Sequence, residues 1–438
     1  MVSMRTKAII STTLGIAFEW YDFFLYSLLA PVIAQVFFPK TIPVLSLAYA
    51  YVVLFIGFVG RPAGGLIFGY IGDKFSRIRA LYFTLLIAGI SVLLVAILPT
   101  YQQIGVAAPI LLAILRFADG IGLGGEWGGS FSLTSEYINP NLRGFFSGLL
   151  QATVPVASLL VSGFTLLFTS LLGESGFYAV GWRYVFAIGF IISIIGVFIR
   201  FRVADSPVFQ KLVETGRVVK NPISGAFRRY WKLILMGLFL VGIVNGAYYY
   251  LNFAFALGYA TTIAKAFHKP YVPYSVVSEG VLISSPVLII LALAFGYLSD
   301  RIGRRPLILA NAVGAIVFIA PYLLMLLSGD PTLVMSAIVL GGLIFWLISG
   351  AITPIVLVEM FPPEVRYTGI STAYQIGVGF IGGLSPYILT FMISALHDIF
   401  WPPLIYTVVL GLIVLFIGIV LGETKGRLHV GEEILRQQ

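Results

Sequence analysis

Long apolar runs separated by short polar loops dominate the hydrophobic pattern of this chain. Twelve such runs can be drawn, and each reaches the roughly 20 residues that a helix needs to cross a bilayer. Because a helix satisfies its own backbone hydrogen bonds, helices are the structure expected for these runs in lipid. The runs lie near residues 9–38, 45–72, 79–98, 105–136, 144–172, 180–202, 231–262, 274–299, 306–327, 332–361, 366–395 and 400–421.

The composition agrees with this pattern. Of the 438 residues 59% are hydrophobic and 10% are charged, and the mean hydropathy is +1.01, whereas a soluble protein carries far more charge. The absence of cysteine excludes disulfides, thiolate metal sites and cysteine nucleophiles. The histidines lie near predicted loops or in the tail, so we expect no metal site and no cofactor. They are His268, His397 and His429.

The basic residues predict the orientation of the chain in the membrane. If the N-terminus is cytoplasmic, most of the 27 Lys and Arg residues fall in cytoplasmic loops, as the positive-inside rule requires. We therefore expect a multi-pass plasma-membrane protein with both termini in the cytoplasm, acting as a monomer. The net charge of +9 is explained by these loops and does not indicate a nucleic-acid partner. The predicted outer loops contain Lys40, Arg183, Lys265 and Lys269.

An internal repeat divides the twelve runs into six and six. GYIGDKFSR at 69–77 matches GYLSDRIGR at 296–304, and the Glu136–Arg143 spacing recurs as Glu359–Arg366. The two copies of each motif are separated by nearly the same number of residues, which indicates a duplicated six-helix unit.

The fold predicted from this repeat is an all-α polytopic membrane protein with two six-helix bundles. We expect the N-terminal bundle at 1–202, a cytoplasmic linker at 203–230, and the C-terminal bundle with a short tail at 231–438. Parallel halves of this kind hold a substrate between them near the bilayer midplane.

The repeated loop resembles the G-x-x-x-D-[RK]-x-G-R-[RK] motif of the major facilitator superfamily. The second copy, at 296–305, fits the motif, whereas the first has Ser76 in place of glycine and Ile78 in place of the second arginine. Further stretches are similar to the metabolite:proton symporters of this superfamily, which include proline/betaine, α-ketoglutarate, citrate and shikimate carriers. These stretches are FEWYDFFLY (18–26), GFVGRPAGGLIFGYIGDK (57–74), GIGLGGEWGGS (120–130) and DSPVFQKLVETGRVVKNP (205–222).

Ionisable residues occur at membrane depth in the predicted N-terminal bundle, where they are costly and mark a substrate or ion pathway. Two guanidinium groups balance only two of the four carboxyl groups, so at least one carboxyl is expected to hold a proton near neutral pH. The resemblance implies that Asp22 pairs with Arg116 and carries the proton, with Glu19 and Glu126 as the next candidates. Asp119 is expected to brace Arg116. The alternative is a set of fixed ion pairs that hold the helices together. The residues are Glu19, Asp22, Arg61, Arg116, Asp119 and Glu126.

A second group of residues is expected to contact the substrate. Arg116 and Arg61 would attract a carboxylate, and the other candidates are neutral and polar. Gln151 resembles a substrate-binding glutamine of sugar porters, while packing is the alternative role for the tyrosines. Gly350 and Pro354 are expected to interrupt the tenth run. The neutral candidates are Tyr26, Gln151, Asn245, Tyr248, Tyr249, Asn252, Tyr374 and Gln375.

Charged residues at the cytoplasmic ends of the predicted helices form a third group. The superfamily uses such residues as a latch between the halves, so they are expected to affect conformational balance and not substrate choice. They are Asp73, Arg77, Glu136, Arg143, Asp300, Arg301, Arg304, Glu359 and Arg366.

Together these features predict proton-coupled symport of a small polar metabolite, an organic acid or a zwitterion such as proline or betaine, by rocker-switch alternating access. A sugar/proton symporter or a drug/proton antiporter of the same superfamily is the alternative. A non-transporting nutrient sensor is disfavoured because no signalling domain is evident. An enzyme is disfavoured because no P-loop, H-E-x-x-H or G-x-S-x-G motif occurs.

Overall fold

The structure is a computed structural model that describes residues 3–39 and 43–427. These residues form helices joined by short loops, with no strand among them, so the predicted all-α fold is confirmed. Lys40, His429 and Arg436, which the sequence assigns to a loop and the tail, lie outside the described residues.

The helices that correspond to the twelve predicted runs are numbered here in chain order. In the N-terminal half they are α1 (Met4–Leu28), α2 (Pro43–Lys74), α3 (Arg77–Ile97), α4 (Ala107–Glu136), α5 (Arg143–Gln151 and Thr153–Gly176) and α6 (Trp182–Arg200). In the C-terminal half they are α7 (Pro222–Ala266), α8 (Tyr274–Ile302), α9 (Arg305–Leu326), α10 (Pro331–Met360), α11 (Arg366–Leu396) and α12 (Trp401–Leu421).

Ten helical stretches of the described chain are long and apolar enough to cross a membrane. One of them, Pro140–Arg200, contains 61 residues and holds both α5 and α6, with a non-helical residue, Gly173 (φ 69°, ψ 170°), near the end of α5. Helix α1 is not among the ten, because Glu19, Asp22 and its hydroxyl side chains lower its mean hydropathy. Burying ionisable residues in a membrane helix is costly, so their presence in α1 indicates a functional role.

The contacts divide the chain into two compact units, each assembled mostly from one half of the sequence. Unit 1 contains Met1–Ile138, Val156–Arg229 and Pro363–Thr372, and unit 2 contains Asn139–Pro155, Tyr230–Pro362 and Ala373–Gln438. Each unit therefore includes one short segment that chain order would assign to the other half. These two segments are the beginnings of α11 and α5.

In unit 1, glycines of α4 allow α2 to approach closely. A Cβ atom at Gly120 would collide with the carbonyl oxygen of Gly57, and one at Gly124 would collide with that of Arg61. Small residues at such positions let two helix backbones touch in a membrane protein. This contact places the buried Arg61 of α2 and the buried charged residues of α4 on two closely packed helices.

In unit 2, three helices deviate from regular α-helical geometry. Helix α7 contains π-helical turns at Gly242–Ala247 and Leu251–Phe255, α10 contains one at Gly342–Leu347, and α11 contains one at Gly377–Gly382. Such turns occur frequently at functional sites. Helix α10 is also interrupted between its segments Ile348–Gly350 and Thr353–Met360, as the sequence predicts.

Candidate functional site

Arg116 of α4 is the centre of a buried charged cluster in unit 1. Its Nη1 atom donates to Asp22 Oδ2 of α1 at 2.6 Å and also to Asp119 Oδ2, one turn further along α4. Each of these three side chains is at most 2% exposed. Asp22 Oδ1 and Asp119 Oδ1 are buried and have no hydrogen-bond partner among the described residues. Two carboxyl groups therefore converge on one guanidinium group.

The surroundings of Arg116 hold its side chain in place. The ring of Tyr26 lies 3.9 Å from the guanidinium carbon, which is a favourable cation–π distance. On another side, a Cβ atom at Gly57 would lie only 2.6 Å from Arg116 Nε, so only glycine leaves room for the arginine. The hydroxyl group of Tyr26 is buried without a partner in the described chain and can bond a ligand or water.

Glu19 and Arg61 form a second pair in unit 1. Arg61 Nη1 donates to Glu19 Oε1 at 2.8 Å, and both side chains are at most 8% exposed. The second carboxylate oxygen, Glu19 Oε2, has no partner among the described residues. Glu19 and Asp22 are three residues apart on α1 and so face the same side of the helix.

Glu126 has a partner that the sequence reasoning missed. Arg200 of α6 donates to both carboxylate oxygens of Glu126, at 2.5 and 2.9 Å. The hydroxyl groups of Thr84 and Ser130 donate to the same carboxylate at 2.5 and 2.8 Å. The expectation that two arginines pair with the four acids is therefore wrong, because Arg200 is a third arginine in the cluster. Both carboxylate oxygens of Glu126 accept hydrogen bonds.

Arg200 comes at the end of the sixth apolar run, next to basic residues that the positive-inside rule assigns to the cytoplasm. The predicted sixth run extends to residue 202, so its own boundary already placed Arg200 inside the membrane-spanning segment. Even with Arg200 included, the carboxyl groups of the cluster outnumber the guanidinium groups by one. The surplus lies at Arg116, where Asp22 and Asp119 share one cationic partner.

In unit 2 two of the predicted polar residues, Gln151 and Asn245, contact the interruption of α10. Pro354 has no N–H group, so the carbonyl oxygen of Gly350, four residues earlier, lacks its helical donor. The side-chain amides of Gln151 and Asn245 replace it, donating to Gly350 O at 3.0 and 3.4 Å. The adjacent carbonyl oxygen of Ala351 accepts a hydrogen bond from Ser147 at 2.7 Å.

The other predicted substrate residues of unit 2 differ in their surroundings. Asn252 donates to Ile338 O at 3.0 Å and accepts from the Tyr322 hydroxyl at 2.9 Å, so both ends of its amide are used within the protein. The ring of Tyr249 packs against Trp346 with centroids 5.4 Å apart. Tyr248 is buried beside Phe345. The last two candidates are buried in α11 and are Tyr374 and Gln375.

The predicted latch residues of unit 1 surround the beginning of α11. Asp73 accepts hydrogen bonds from the backbone N–H groups of Tyr367 (3.1 Å) and Thr368 (2.8 Å) and pairs with Arg77. Arg77 also contacts Glu136 at 3.3 Å, and Arg366 contacts the same Glu136 oxygen at 3.2 Å. A carboxylate at a helix N-terminus satisfies free N–H groups and interacts favourably with the helix dipole.

Unit 2 repeats this arrangement at the beginning of α5. Asp300 accepts from the N–H groups of Gly144 (2.8 Å) and Phe145 (2.7 Å) and pairs with Arg304 at 2.8 Å. Arg304 contacts Glu359 at 3.2 Å, and Arg143 interacts electrostatically with the same glutamate. The two copies of the sequence repeat therefore make equivalent contacts in the two units.

Not every predicted latch residue belongs to these networks. The side chain of Arg301 is exposed and bonds the hydroxyl of Tyr297 on its own helix. Conversely, the hydrogen bonds that Asp73 and Asp300 accept from backbone N–H groups were not predicted, because a helix cap contributed by another element leaves no pattern in the sequence. Residues 422–426, with the sequence GETKG, also join the unit 2 network, since Thr424 donates to Glu359 Oε2 at 2.8 Å.

The departure of the first loop from the repeated motif has a structural explanation. In the second copy, Gly303 adopts a positive φ of 99°, and Glu423 occupies the space beside it. In the first copy, Ser76 has an extended backbone and its hydroxyl accepts from Arg79 N at 3.1 Å, capping α3. Asp205 accepts from Ile78 N at 3.1 Å at the same helix end. The two loops therefore cap the following helix by different means.

Comparison with known proteins agrees with this architecture. The family described as Major Facilitator Superfamily matches residues 12–386. The glycine betaine/proline/ectoine/pipecolic acid transporter OusA of Dickeya dadantii is 32% identical, with 96% of this chain and 84% of the relative covered. The Escherichia coli inner membrane metabolite transport protein YhjE is 31% identical, with 89% and 88% covered. The proline/betaine transporter of Escherichia coli is 30% identical, with 96% and 84% covered.

Among solved structures, the proton:xylose symporter XylE bound to 6-bromo-6-deoxy-D-glucose superposes with a TM-score of 0.74. The alignment covers 99% of both chains at 16% identity, so this likeness concerns the fold. The match to the family and the identity to its transporters lead to one conclusion: this chain belongs to the major facilitator superfamily.

Proposed function

We propose that this membrane transporter couples the entry of a small zwitterion or organic acid to the entry of protons. The observation that carries the proposal is the contact of Asp22 and Asp119 with the same Arg116 nitrogen. Two ionised carboxylates beside one guanidinium group, with water excluded, leave an uncompensated negative charge. One proton shared by this carboxyl pair removes that charge, and its release on the other side of the membrane couples transport to the proton gradient.

The remaining carboxyl groups take secondary roles in this proposal. Glu19 has one free oxygen and faces the same side of α1 as Asp22, so it is the next proton acceptor. Glu126 is the last candidate, because Arg200, Thr84 and Ser130 already satisfy its carboxylate. Arg61 and Arg116 attract the carboxylate of the substrate, with the hydroxyl of Tyr26 beside them.

The neutral polar groups of unit 2 are a separate set of candidate substrate contacts in this proposal. Gln151 and Asn245 bond Gly350 O at the interruption of α10, and Tyr248 packs against Phe345 of the same helix. The names of the relatives, proline/betaine and metabolite transporters, support a small polar ligand. The bundles predicted at 1–202 and 231–438 would alternate access by rocking, with the capped helix ends as the latch. We place the protein in the plasma membrane as a monomer with cytoplasmic termini.

Uptake into proteoliposomes under an imposed pH gradient tests the proposal. Proline, betaine and α-ketoglutarate are the substrates to compare, and accumulation of at least one of them should require an acidic exterior. In Asp22→Asn, gradient-driven accumulation should be lost while exchange of labelled for unlabelled substrate continues. Asp330→Asn, which alters a helix cap outside the cluster, should retain coupling. Full coupling in Asp22→Asn would overturn the proton assignment.

A further inference from the structure

The beginning of α11 packs against glycines of α2 and α4 in unit 1. A Cβ atom at Gly72 would collide with the ring of Tyr367, and one at Gly129 would collide with the hydroxyl end of the same ring. A Cβ atom at Gly128 would likewise collide with the hydroxyl of Ser371. Tyr367 and Ser371 are about one helical turn apart, so both lie on the face of α11 that contacts α4.

Three hydroxyl groups in these turns have no hydrogen-bond partner among the described residues. They belong to Tyr367, Ser371 and Thr372, each of which is at most 1% exposed. A buried polar group without a partner is costly, and native proteins retain few of them. Three such groups within residues 367–372 therefore require a functional explanation.

Other buried hydroxyls show how such a group is satisfied within a membrane helix. Thr407 of α12 donates to the carbonyl oxygen of Pro403, one turn earlier in its own helix, at 2.8 Å. Ser193 of α6 packs against Gly89 of α3, and its hydroxyl donates to Leu85 O at 2.8 Å. A hydroxyl that is buried against a glycine can therefore be bonded inside the protein, and the three hydroxyls of α11 are exceptions.

The contacts of α11 lie on α4 between the latch and the carboxyl pair. Gly129, which contacts the hydroxyl end of Tyr367, comes after Asp119 and before Glu136 on α4. Tyr367 also interacts electrostatically with Glu126, less than one turn before Gly129. The beginning of α11 therefore covers the stretch of α4 along which water would reach the carboxyl pair from the latch end of the helix.

Hydroxyl groups suit a surface that is buried in one state and wet in another. Water satisfies a hydroxyl that has no partner inside the protein. Apolar side chains at the same positions would pack more favourably while buried, but they would leave an opened passage apolar. An apolar constriction excludes water, whereas hydroxyls on its wall hold the water that a proton needs in order to cross.

We propose that the first two turns of α11 form a removable seal on α4, and that the hydroxyls of Tyr367, Ser371 and Thr372 bind water in the passage that opens when this seal lifts. The inference rests on the proposed function, because the passage gives the carboxyl pair beside Arg116 its access to the cytoplasm. The three hydroxyls destabilise the sealed state and are hydrated in the open state, so they set how often the passage opens.

Thiol labelling measures the opening, because the chain contains no cysteine and an introduced one is the sole reactive thiol. Ser371→Cys is compared with Ser193→Cys in the full-length protein in nanodiscs, with a water-soluble maleimide as the probe. Both side chains are buried against a glycine of unit 1, but only residue 371 should become wet. Labelling of Ser371→Cys should be at least ~10-fold faster, because a minor open state exposes it. Equally slow labelling of the two variants would overturn the seal.

The same measurements separate this inference from the proposed function. Rapid labelling of Ser371→Cys in a protein without proton-driven uptake would contradict the proposed function and keep the seal. Proton-driven uptake by a Ser371→Cys protein that resists labelling would overturn the seal and keep the proposed function.

A second pair of variants tests the role of the hydroxyls. Thr372→Val replaces an unbonded hydroxyl with a methyl group of similar shape, so it should raise the melting temperature. In the Ser371→Cys background it should slow labelling by about 10-fold, as expected when the cost of one buried unpaired group is removed. Thr407→Val removes a bonded hydroxyl and should neither raise the melting temperature nor change the labelling. A lower melting temperature in Thr372→Val would show that its hydroxyl is satisfied in the sealed state and would overturn the assignment.

Discussion

The buried cluster of unit 1 around Arg61, Arg116 and Arg200 holds four carboxyl groups and three guanidinium groups, whereas the α10 interruption in unit 2 is contacted by neutral amide and hydroxyl side chains. The helix-end networks do not differ in this way. Asp73 and Asp300 cap the beginning of a helix with two N–H contacts each, and each pairs with an arginine four residues later.

This contrast shows which parts of the repeat are free to change. The capping contacts depend on free backbone N–H groups at the beginning of a helix, which both units provide, so both copies keep the same side chains. The interiors face different tasks. A group that takes up and releases a proton requires carboxyl groups in a low-dielectric setting, whereas selection among small polar ligands requires neutral donors and acceptors in fixed positions.

The largest effect is expected from removing a charge inside unit 1. Arg200→Met leaves the buried Glu126 carboxylate without its cationic partner, which should cost about 3–5 kcal/mol of stability. The double variant Glu126→Gln/Arg200→Met removes both charges and should recover most of this loss, since Thr84 and Ser130 can still bond the glutamine. Thermal unfolding in detergent measures both effects.

The double variant also tests the comparison between the units. If Glu126 and Arg200 hold α4 and α6 together and do not carry protons, the double variant should retain proton-driven uptake. Loss of coupling in a stable double variant would indicate that Glu126 carries the proton, and not the carboxyl pair beside Arg116. An unchanged melting temperature in Arg200→Met would contradict the buried ion pair itself.

A smaller effect is expected at the two helix caps. Asp73→Asn and Asp300→Asn each retain an oxygen acceptor but lose the charge at a helix N-terminus, which should cost about 1–2 kcal/mol. Because the contacts repeat, the two variants should lower the melting temperature by similar amounts, and the double variant should show the sum of the two changes. A neutral effect of one variant beside a clear loss in the other would show that the two networks are not equivalent.

Much of the fold could be predicted because its signals are local. Apolar runs indicate the helices, and the repeated loops indicate the duplication. The convergence of Asp22 and Arg116 followed from family resemblance. Arg200 was missed because a basic residue at the end of an apolar run looks like a loop residue. The engagement of Gly350 O was partly predictable, since Pro354 removes its donor, but the side chains that replace that donor depend on tertiary packing.

The smallest predicted effect concerns Glu423, which sharpens the difference between the two loops at Ser76 and Gly303. Burial acts to raise the pKa of Glu423, but the backbone N–H groups of Arg304, Lys425, Arg305 and Thr424 favour the carboxylate and the net pKa is lowered. The N···O distances lie between 2.8 and 3.2 Å. In the first loop the cap residue is the uncharged Ser76, whose hydroxyl accepts from Arg79 N.

Because the pKa of Glu423 is lower in the folded protein than its ordinary value of 4.5, ionised Glu423 stabilises the fold above that value. This contribution is lost as the pH falls through the lowered pKa. The melting temperature of the wild type should therefore exceed that of Glu423→Gln near pH 7, by a small amount because the side chain is partly exposed to solvent, which screens its charge. The difference should shrink as the pH falls below 4.5, while Ser76→Ala should lower the melting temperature equally at both pH values. A difference for Glu423→Gln that is constant with pH would show that neutral hydrogen bonds, and not the charge, hold the second loop.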